Sequence, residues 1–563
     1  MWRGPGGGPR VEREPAPAAG GRERSGGEAI VDALLAHGVD TVFALPGAQI
    51  YGLCDALAQV PDRIRTICTR HEQSAAYMAF GYAKATGRTG VYAVVPGPGV
   101  LNSTAALSSA YATSTPLLCL TGQVPTQFIG AGKGHLHELP DQLATLRTLT
   151  KWAARIERPQ AAPALVAQAF AQASDGRPRP VALEMPWEVF DERAATASVA
   201  PAAAEPAPAP EAGALERAAE LLAGARNPMI MVGGGAQEAS AEVLELAELL
   251  QAPVVAFRSG RGVVPSDHAL GFSCAEGFER WAQTDVLLGI GSRLELQWFR
   301  WPDQPEGLAI VDIDIEAEQT ARVGADVALV ADAAAACAAL SAMLREAGAE
   351  RAPRTEEFEA LKAATRAQIA SVRPHVGFLE AIRAVLPRDG FFVEELCQAG
   401  FASYFAFPVY QPRTFVTAGA QGTLGFGFPT ALGVKAAHPD RKVVSITGDG
   451  GFQFGLPELA TAAQYSLDVV TVVFDNGAYG NVMRDQQRLY EGRLLGAELR
   501  NPDFVALAAS YDIRAARVDD PAGLRGALEL ALASGEPELV VVSVRPEDEV
   551  SPWRFMMPPS RRA

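Results

Sequence analysis

The sequence predicts an α/β protein built from three doubly wound, mainly parallel-sheet domains, and three observations carry that expectation. The first is length, since 563 residues are too many for a single hydrophobic core. The second is a repeated alternation of short apolar runs with helix-period segments, the pattern of successive β-α units. The third is punctuation: an Ala/Pro/Glu-rich stretch at 194–212 and a charged helical segment at 350–372 divide the alternation into three parts.

Taken in order, residues 1–26 are rich in Gly, Pro, Arg and Glu with no apolar period, which predicts a flexible tail. The first domain, 27–188, opens with the helix AIVDALLAHG and the strand DTVFALPG. It continues through IRTICTR, the helix HEQSAAYMAFGYAKATG, the strand VYAVVPG and the helix VLNSTAALSSAYATS. A linker is expected over 189–212. The second domain, 213–345, holds the strand MIMV running into Gly233, Gly234 and Gly235, then APVVAF, TDVLLGIGSR and GLAIVDIDI. A linker helix at 346–374 leads to the third domain, 375–550, with DGFFVEE, RTFVT, KVVSITGDGG, LDVVTVVFDNG and PELVVVSV, and 551–563 are expected as a C-terminal tail.

Composition narrows the function. A formal net charge of −16 argues against a nucleic-acid surface, because phosphate binding by counterion release needs a basic field. The six cysteines, Cys54, Cys68, Cys119, Cys274, Cys337 and Cys397, form no CxxC pair, so free thiols in a reducing compartment are expected. No apolar run reaches the roughly 18 to 20 residues that cross a bilayer, and no secretion signal is evident at the N-terminus. No nucleic-acid or membrane partner is therefore expected, and the cytoplasm is the expected location.

The chemistry concentrates in the third domain. The strand KVVSIT runs into Gly448, Asp449, Gly450 and Gly451 and then into helical text. In an open parallel sheet the carboxyl ends of strands receive ligands, and the first amides of a following helix favour anions. The next strand ends at Asp475, Asn476 and Gly477, with 25 residues between Gly450 and Asn476, close to one βαβ unit. A carboxylate and an amide oxygen at neighbouring strand ends suit Mg²⁺ bridging a diphosphate. Taken alone, Asp449 capping a helix and Asn476 filling a turn would read the same way.

The segment GDGGFQFGLPELATAAQYSLDVVTVVFDNGAYG resembles the thiamine diphosphate motif of the acetolactate synthase-like superfamily. Similar text recurs from Glu28 to Val544, in PGAQIYGLCDAL, TRHEQSAAYMAFGYAKATG, TGQVP, GTLGFGFPTALG and NPDFVALAASYDIRAARV. The resemblance implies a pyrimidine-binding domain, a central domain and a diphosphate-binding domain, with the active site shared between two chains of a homodimer or homotetramer. It implies that Glu72 exchanges a proton with the aminopyrimidine ring, so that the cofactor's own imine removes the thiazolium C2 proton. It further implies that the Gly422 carbonyl accepts from the 4′-amino group and that Leu424 wedges the cofactor into a bent shape. Asp449 and Asn476 would bind Mg²⁺ through side chains and Ala478 through its carbonyl, with Gly448, Gly450 and Gly451 against the diphosphate. Gln123 would face the reacting cofactor.

Departures from acetolactate synthase bear on the substrate. Where those enzymes carry a stretch resembling RFDDR, this chain reads RLELQ, and Gln297 replaces an arginine that grips the carboxylate of a second 2-oxo acid. Asp485 stands where an apolar tryptophan is common, and Gln49 joins Asp485 and Gln297 as expected pocket residues. A His137-Glu138 pair replaces the family's Phe-Gln and could move protons near neutral pH. The RFDDR difference also weakens the flavin contact of the central domain, so FAD is allowed for but not expected. The expected activity is decarboxylation of a 2-oxo acid followed by carboligation to an aldehyde or ketone acceptor. The alternatives are aldehyde release, 2-hydroxy ketone or 2-hydroxyacyl cleavage, and a cofactor-binding homologue without catalysis.

Overall fold

The computed structural model describes residues 22–201 and 207–561. Three six-stranded sheets account for its architecture, each parallel throughout and flanked by helices. Along the first sheet the strands run Arg65–Cys68, Thr41–Ala44, Gly90–Val94, Leu117–Gln123, Val181–Pro186 and Trp152–Arg155. The third runs Phe415–Val416, Phe391–Val393, Val443–Gly448, Val469–Asp475, Glu538–Ser543 and Arg514–Val518. Both therefore have the same strand order relative to the chain, and both reverse direction of winding between their first and third strands. The central sheet, Gly271–Ser273, Val254–Ala256, Pro228–Val232, Val286–Ile290, Ala309–Asp314 and Val327–Val330, reverses between its first and fourth. A crevice opens outside the carboxyl ends of strands at each such reversal.

Parallel strands buried on both faces must be apolar along their whole length, and they are: VYAVV and VVTVVF are buried almost without interruption. One apolar cluster joins the first and third domains through Tyr77, Phe80 and Phe426, with ring centroids 5.3 and 5.2 Å from Phe426; another joins the central and third domains. The helices Glu72–Thr86 and Gly427–Ala437 cross at backbone contact. A methyl group on Gly81 would collide with the Thr430 carbonyl, and one on Gly433 with the Met78 carbonyl. Gly433→Ala is therefore expected to destabilise the protein by about 1–3 kcal/mol, read as a lowered urea midpoint at unchanged slope.

Several boundaries differ from the sequence reading. Residues 1–21 lie outside the described residues, but within the segment expected as a tail Arg22–Ser25 pair antiparallel with Arg193–Thr196, inside the expected linker. Its last residue, Ser25, also caps the first helix, accepting from Glu28 N while Glu28 accepts from Ser25 N. Residues 202–206 of the linker lie outside the described residues. At the other end, the expected tail carries the helix Trp553–Met556, with the rings of Trp553 and Phe555 packed at a tilt 5.2 and 5.0 Å from Phe401 and Phe405. All six cysteines are free thiols, and among the described residues no helix is long and apolar enough to cross a membrane.

Candidate active site

At the winding reversal of the third sheet, strands Phe391–Val393 and Val443–Gly448 lie side by side and deliver Glu394–Glu395 and Gly448–Gly451 to one edge. Gly448 is in register with Phe474 on the next strand, which brings Asp449 beside Asp475 and Asn476. Asp449 is 2% exposed. Its Oδ1 accepts from Gly450 N at 2.8 Å, and its Oδ2 accepts from Gly477 N and Asn501 Nδ2, both at 2.7 Å. Burial raises its pKa, opposed by the Asn501 and backbone hydrogen bonds. Asn476 Oδ1 accepts from Ala478 N at 3.1 Å, and its Nδ2 donates to Glu549 Oε1 at 3.2 Å.

Among the described residues no group of three His, Cys, Asp or Glu could hold a metal. What the loop offers is one buried carboxylate, one amide oxygen and main-chain carbonyls. Such a hard, incomplete oxygen set fits Mg²⁺, which takes its remaining ligands from phosphate and water. The glycines around it are needed for reasons the sequence did not show. A methyl group on Gly450 would meet the Tyr479 ring, and one on Gly451 the Glu395 carboxylate. Gly450 N–H, expected on a diphosphate, donates to Asp449 instead.

The 422–427 loop arches over this edge. Gly422 and Gly425 have φ of 59° and 78°, left-handed values open to glycine. Leu424 between them is half-buried. Glu395, fully buried, accepts from Gly425 N at 2.5 Å and Gly427 N at 3.0 Å and so fixes the loop. Burial pushes its carboxyl up to about 7. Sequence reasoning missed Glu395 and Asn501. Two consecutive acids ending the apolar strand text FFVEE were a usable signal, because acids are seldom buried without a task.

Glu72 begins the helix Glu72–Thr86, capped by His71, whose Nδ1 accepts from Gln73 N at 3.1 Å. The turn before it is fastened to the third domain, because Glu458 Oε1 accepts from Arg70 N and His71 N, both at 3.0 Å. Asn102 Nδ2 donates to Glu72 Oε2 at 3.0 Å. His137 lies within electrostatic reach of Glu72: burial lowers its pKa and the Glu72 charge partly restores it. Gln49, fully buried, donates from Nε2 to Leu136 O at 2.7 Å and presents Oε1 to His137 Nδ1 at 2.9 Å. An amide oxygen only accepts, so Nδ1 carries the proton and Nε2 is the ring's acceptor.

Other expected site residues are placed differently. Glu138 does not pair with His137: its carboxylate accepts from Gly132 N at 2.8 Å and His135 N at 2.9 Å, bonds that hold its pKa low and make it a loop staple. The left-handed backbone of His137, at φ 65°, turns the two side chains apart. Gln123 is buried, its Nε2 donating to Glu184 Oε2 at 3.1 Å and its Oε1 accepting from Val124 N at 2.8 Å, so its amide is spent inside the domain. Gln297, itself buried, lies in the turn Leu296–Arg300 and donates to Oε1 of the exposed Gln304 at 2.9 Å, which removes it from an open pocket. Asp485 is half-buried on the helix Gly480–Leu489, 3.6 Å from Arg488.

In the central domain, a cleft of about 520 Å³ at the winding reversal is lined by Gly233–Gly235, Arg258, Gly291, Arg293 and Asp314. The RLELQ segment faces it through Arg293 to Leu296, where the sequence reading had expected a weakened flavin contact.

Comparison with known proteins follows the same division. Residues 24–145 match the family described as thiamine pyrophosphate enzyme, N-terminal TPP binding domain; 215–340 match its central domain and 397–542 its C-terminal TPP binding domain. The chain is 35% identical to the Probable 2-ketoarginine decarboxylase AruI of Pseudomonas aeruginosa, over 86% of this chain and 88% of that protein. It is 35% identical to the Probable acetolactate synthase large subunit of Methanocaldococcus jannaschii, over 95% and 94%. It is 31% identical to the Acetolactate synthase isozyme 3 large subunit of Escherichia coli, over 90% and 92%. With three matched domains in the order of its three sheets, the chain belongs to the thiamine pyrophosphate enzyme family, as an acetolactate synthase-like member.

Proposed function

We propose that this protein decarboxylates a 2-oxo acid with thiamine diphosphate held through Mg²⁺, and releases the product as an aldehyde. Bound thiamine diphosphate supplies an electron sink for the carboxylate's departure; the protein's residues hold it and manage protons. Asp449, Asn476 and the Ala478 carbonyl hold the cation, the Gly422 carbonyl and Leu424 orient the rings, and Glu72 holds the proton that activates them. The single observation favouring release over carboligation is His137. Gln49 fixes its tautomer and leaves Nε2 an acceptor within electrostatic reach of Glu72, which supports a route for a proton to reach the product. Gln297, turned onto Gln304, offers no grip for a second oxo acid. Neither step changes the substrate's oxidation level beyond loss of CO₂, so flavin chemistry has no part in this proposal.

The names of the relatives favour a second reading, acetolactate-type carboligation to an aldehyde or ketone acceptor. Incubation with Mg²⁺, thiamine diphosphate and either pyruvate or 2-ketoarginine, with products identified by mass spectrometry, separates the two. An aldehyde one carbon shorter than its substrate is expected; acetolactate from pyruvate alone overturns aldehyde release and establishes the second reading. The apolar side chains beside the site, Tyr51 at 55% exposed, Leu136 at 55% and Phe454 at 53%, support a second copy of the chain covering it, and we include a homodimer or homotetramer in the proposal. A cytoplasmic enzyme completes the reading.

A further inference from the structure

We propose that Glu549, on the segment after the last strand, is a positioning residue for the metal seat: it holds the Asn476 side chain so that oxygen, not nitrogen, is presented to the cation. The inference rests on the reading of Asp449 and Asn476 as metal ligands. It adds a residue outside the motif that carries that reading.

The path of the chain puts Glu549 there. After Glu538–Ser543, Val544 N bonds Asp475 O at 3.0 Å, next to the metal loop. A short turn, Pro546–Asp548, brings the chain back, and it is fastened by Val550 N to Arg373 O at 2.8 Å and by Trp553 Nε1 to Asn481 Oδ1 at 2.7 Å. Residues 545–548 are exposed, and Val550 is 42% exposed, yet the Glu549 side chain is only 3% exposed. A carboxylate turned inward from an exposed strand of chain must find donors, because its desolvation is costly otherwise. Its donors are few. Asn476 Nδ2 lies 3.2 Å from Oε1, Arg484 Nη2 is 3.9 Å from Oε2, and His375 Nε2 is 3.2 Å from Oε1 without hydrogen-bonding geometry.

An asparagine amide has two nearly isosteric ends, and only its partners decide which way it points. A carboxylate oxygen is an acceptor, and Asn476 Nδ2 donates to Glu549 Oε1 at 3.2 Å, so the end of Asn476 that faces Glu549 is the NH₂ group. Oδ1 is thereby turned to the other side, where it meets Ala478 N in the turn that also bonds Asp449 through Gly477 N. Rotated by half a turn, the amide would set two N–H groups against a cation and an oxygen against a carboxylate. Gly480 makes the contact sterically available. A methyl group there would stand 3.0 Å from Asn476 Nδ2 and 3.3 Å from Glu549 Oε2, so that one of the two side chains would have to shift.

Mn²⁺ in place of Mg²⁺, with thiamine diphosphate present, gives a direct test by electron paramagnetic resonance on the full-length protein. Removing a residue that orients a metal ligand costs about 10- to 100-fold in metal affinity. Glu549→Ala is expected to weaken Mn²⁺ binding about 10-fold and Glu549→Lys, which presents a donor, about 100-fold. Glu549→Gln keeps an acceptor oxygen and is expected to stay within about threefold of the parent, whereas a merely structural carboxylate would not be rescued by it. Equal Mn²⁺ affinity in the parent and Glu549→Ala overturns the proposal, as does Glu549→Gln binding as weakly as Glu549→Ala. If Glu549→Lys does not fold, as read by thermal unfolding, the Ala and Gln variants carry the comparison. Asn476→Ala separates this inference from the reading beneath it. Unchanged Mn²⁺ affinity in that variant rejects the metal seat itself, whereas a loss there with none in Glu549→Ala rejects the role of Glu549 alone.

Discussion

Glu72→Gln is expected to lower turnover by about 10²- to 10⁴-fold, the usual contribution of a positioned acid or base, while leaving folding and thiamine diphosphate binding close to the parent. The variant is chosen because it isolates one property. Glutamine has the shape of glutamate and can still accept from Asn102 Nδ2, the hydrogen bond that anchors Oε2 at 3.0 Å. It cannot give up or take a proton. Apart from the Asn102 bond, the fastenings around Glu72 do not involve its carboxylate: His71 caps the helix, and Glu458 of the third domain holds the preceding amides. Nothing in that frame changes on substitution, so a kinetic loss would report proton exchange and not displacement. The measurement is steady-state decarboxylation beside cofactor affinity by fluorescence quenching. Turnover equal to the parent would remove Glu72 from the mechanism. Equal loss of affinity and turnover would mean that it binds and does not activate.

The three sheets and the strand edge that carries Asp449 were legible because parallel strands at the centre of a fold are written as continuous apolar text, and because GDGG follows one of them directly. Strand pairing then places Gly448 opposite Phe474 and closes the distance between Asp449 and Asn476 that spacing alone had suggested. What escaped were contacts between segments far apart in the chain. Asn501 reaches Asp449 from 52 residues away and Glu549 reaches Asn476 from 73, and no local pattern marks either. Adjacency in sequence misled in the opposite way at His137 and Glu138. In a helix or strand, period fixes which neighbours share a face, but in a loop backbone angles decide. There a left-handed residue sent the histidine to Gln49 and the glutamate to its own loop amides. The expected C-terminal tail failed for a related reason: Trp553 and Phe555 find aromatic partners far back in the chain, on the helix Gln398–Ala406.

Stability of the apoprotein is expected to fall as pH rises from about 4.5 to about 7, and Glu395→Gln is expected to remove a large part of that slope. Glu395 and Glu394 are both fully buried, and burial pushes each carboxyl from an ordinary 4.5 up to about 7, against the pull of Gly425, Thr447 and Gly427 on Glu395 and of Thr417 and Tyr404 on Glu394. Below 4.5 both groups are protonated in folded and unfolded chains alike and pH has no leverage. Between the two values the unfolded chain has released its protons while the folded one retains them, so the unfolded state binds fewer protons and raising pH favours unfolding. Above about 7 both states are ionised and the penalty is constant. A shift of this size corresponds to on the order of 3 kcal/mol for each group. Glutamine at 395 cannot ionise, so its contribution to the slope vanishes, and its oxygen still accepts from a loop amide. Glu395→Ala is a different perturbation. It strands the buried Gly425 and Gly427 N–H groups at about 1–3 kcal/mol each, and it frees the loop that carries the Gly422 carbonyl. Urea unfolding of the cofactor-free protein from pH 5 to 8 distinguishes the three. Parallel pH dependence in parent and Glu395→Gln would show that Glu395 is ionised throughout. If the slope falls by the share of Glu395, with Glu394 still contributing, the acid that fixes the 422–427 loop is one whose charge changes near neutrality, and its hydrogen bonds to the Gly425 and Gly427 amides strengthen as that proton leaves even though burial of the charge costs the fold more.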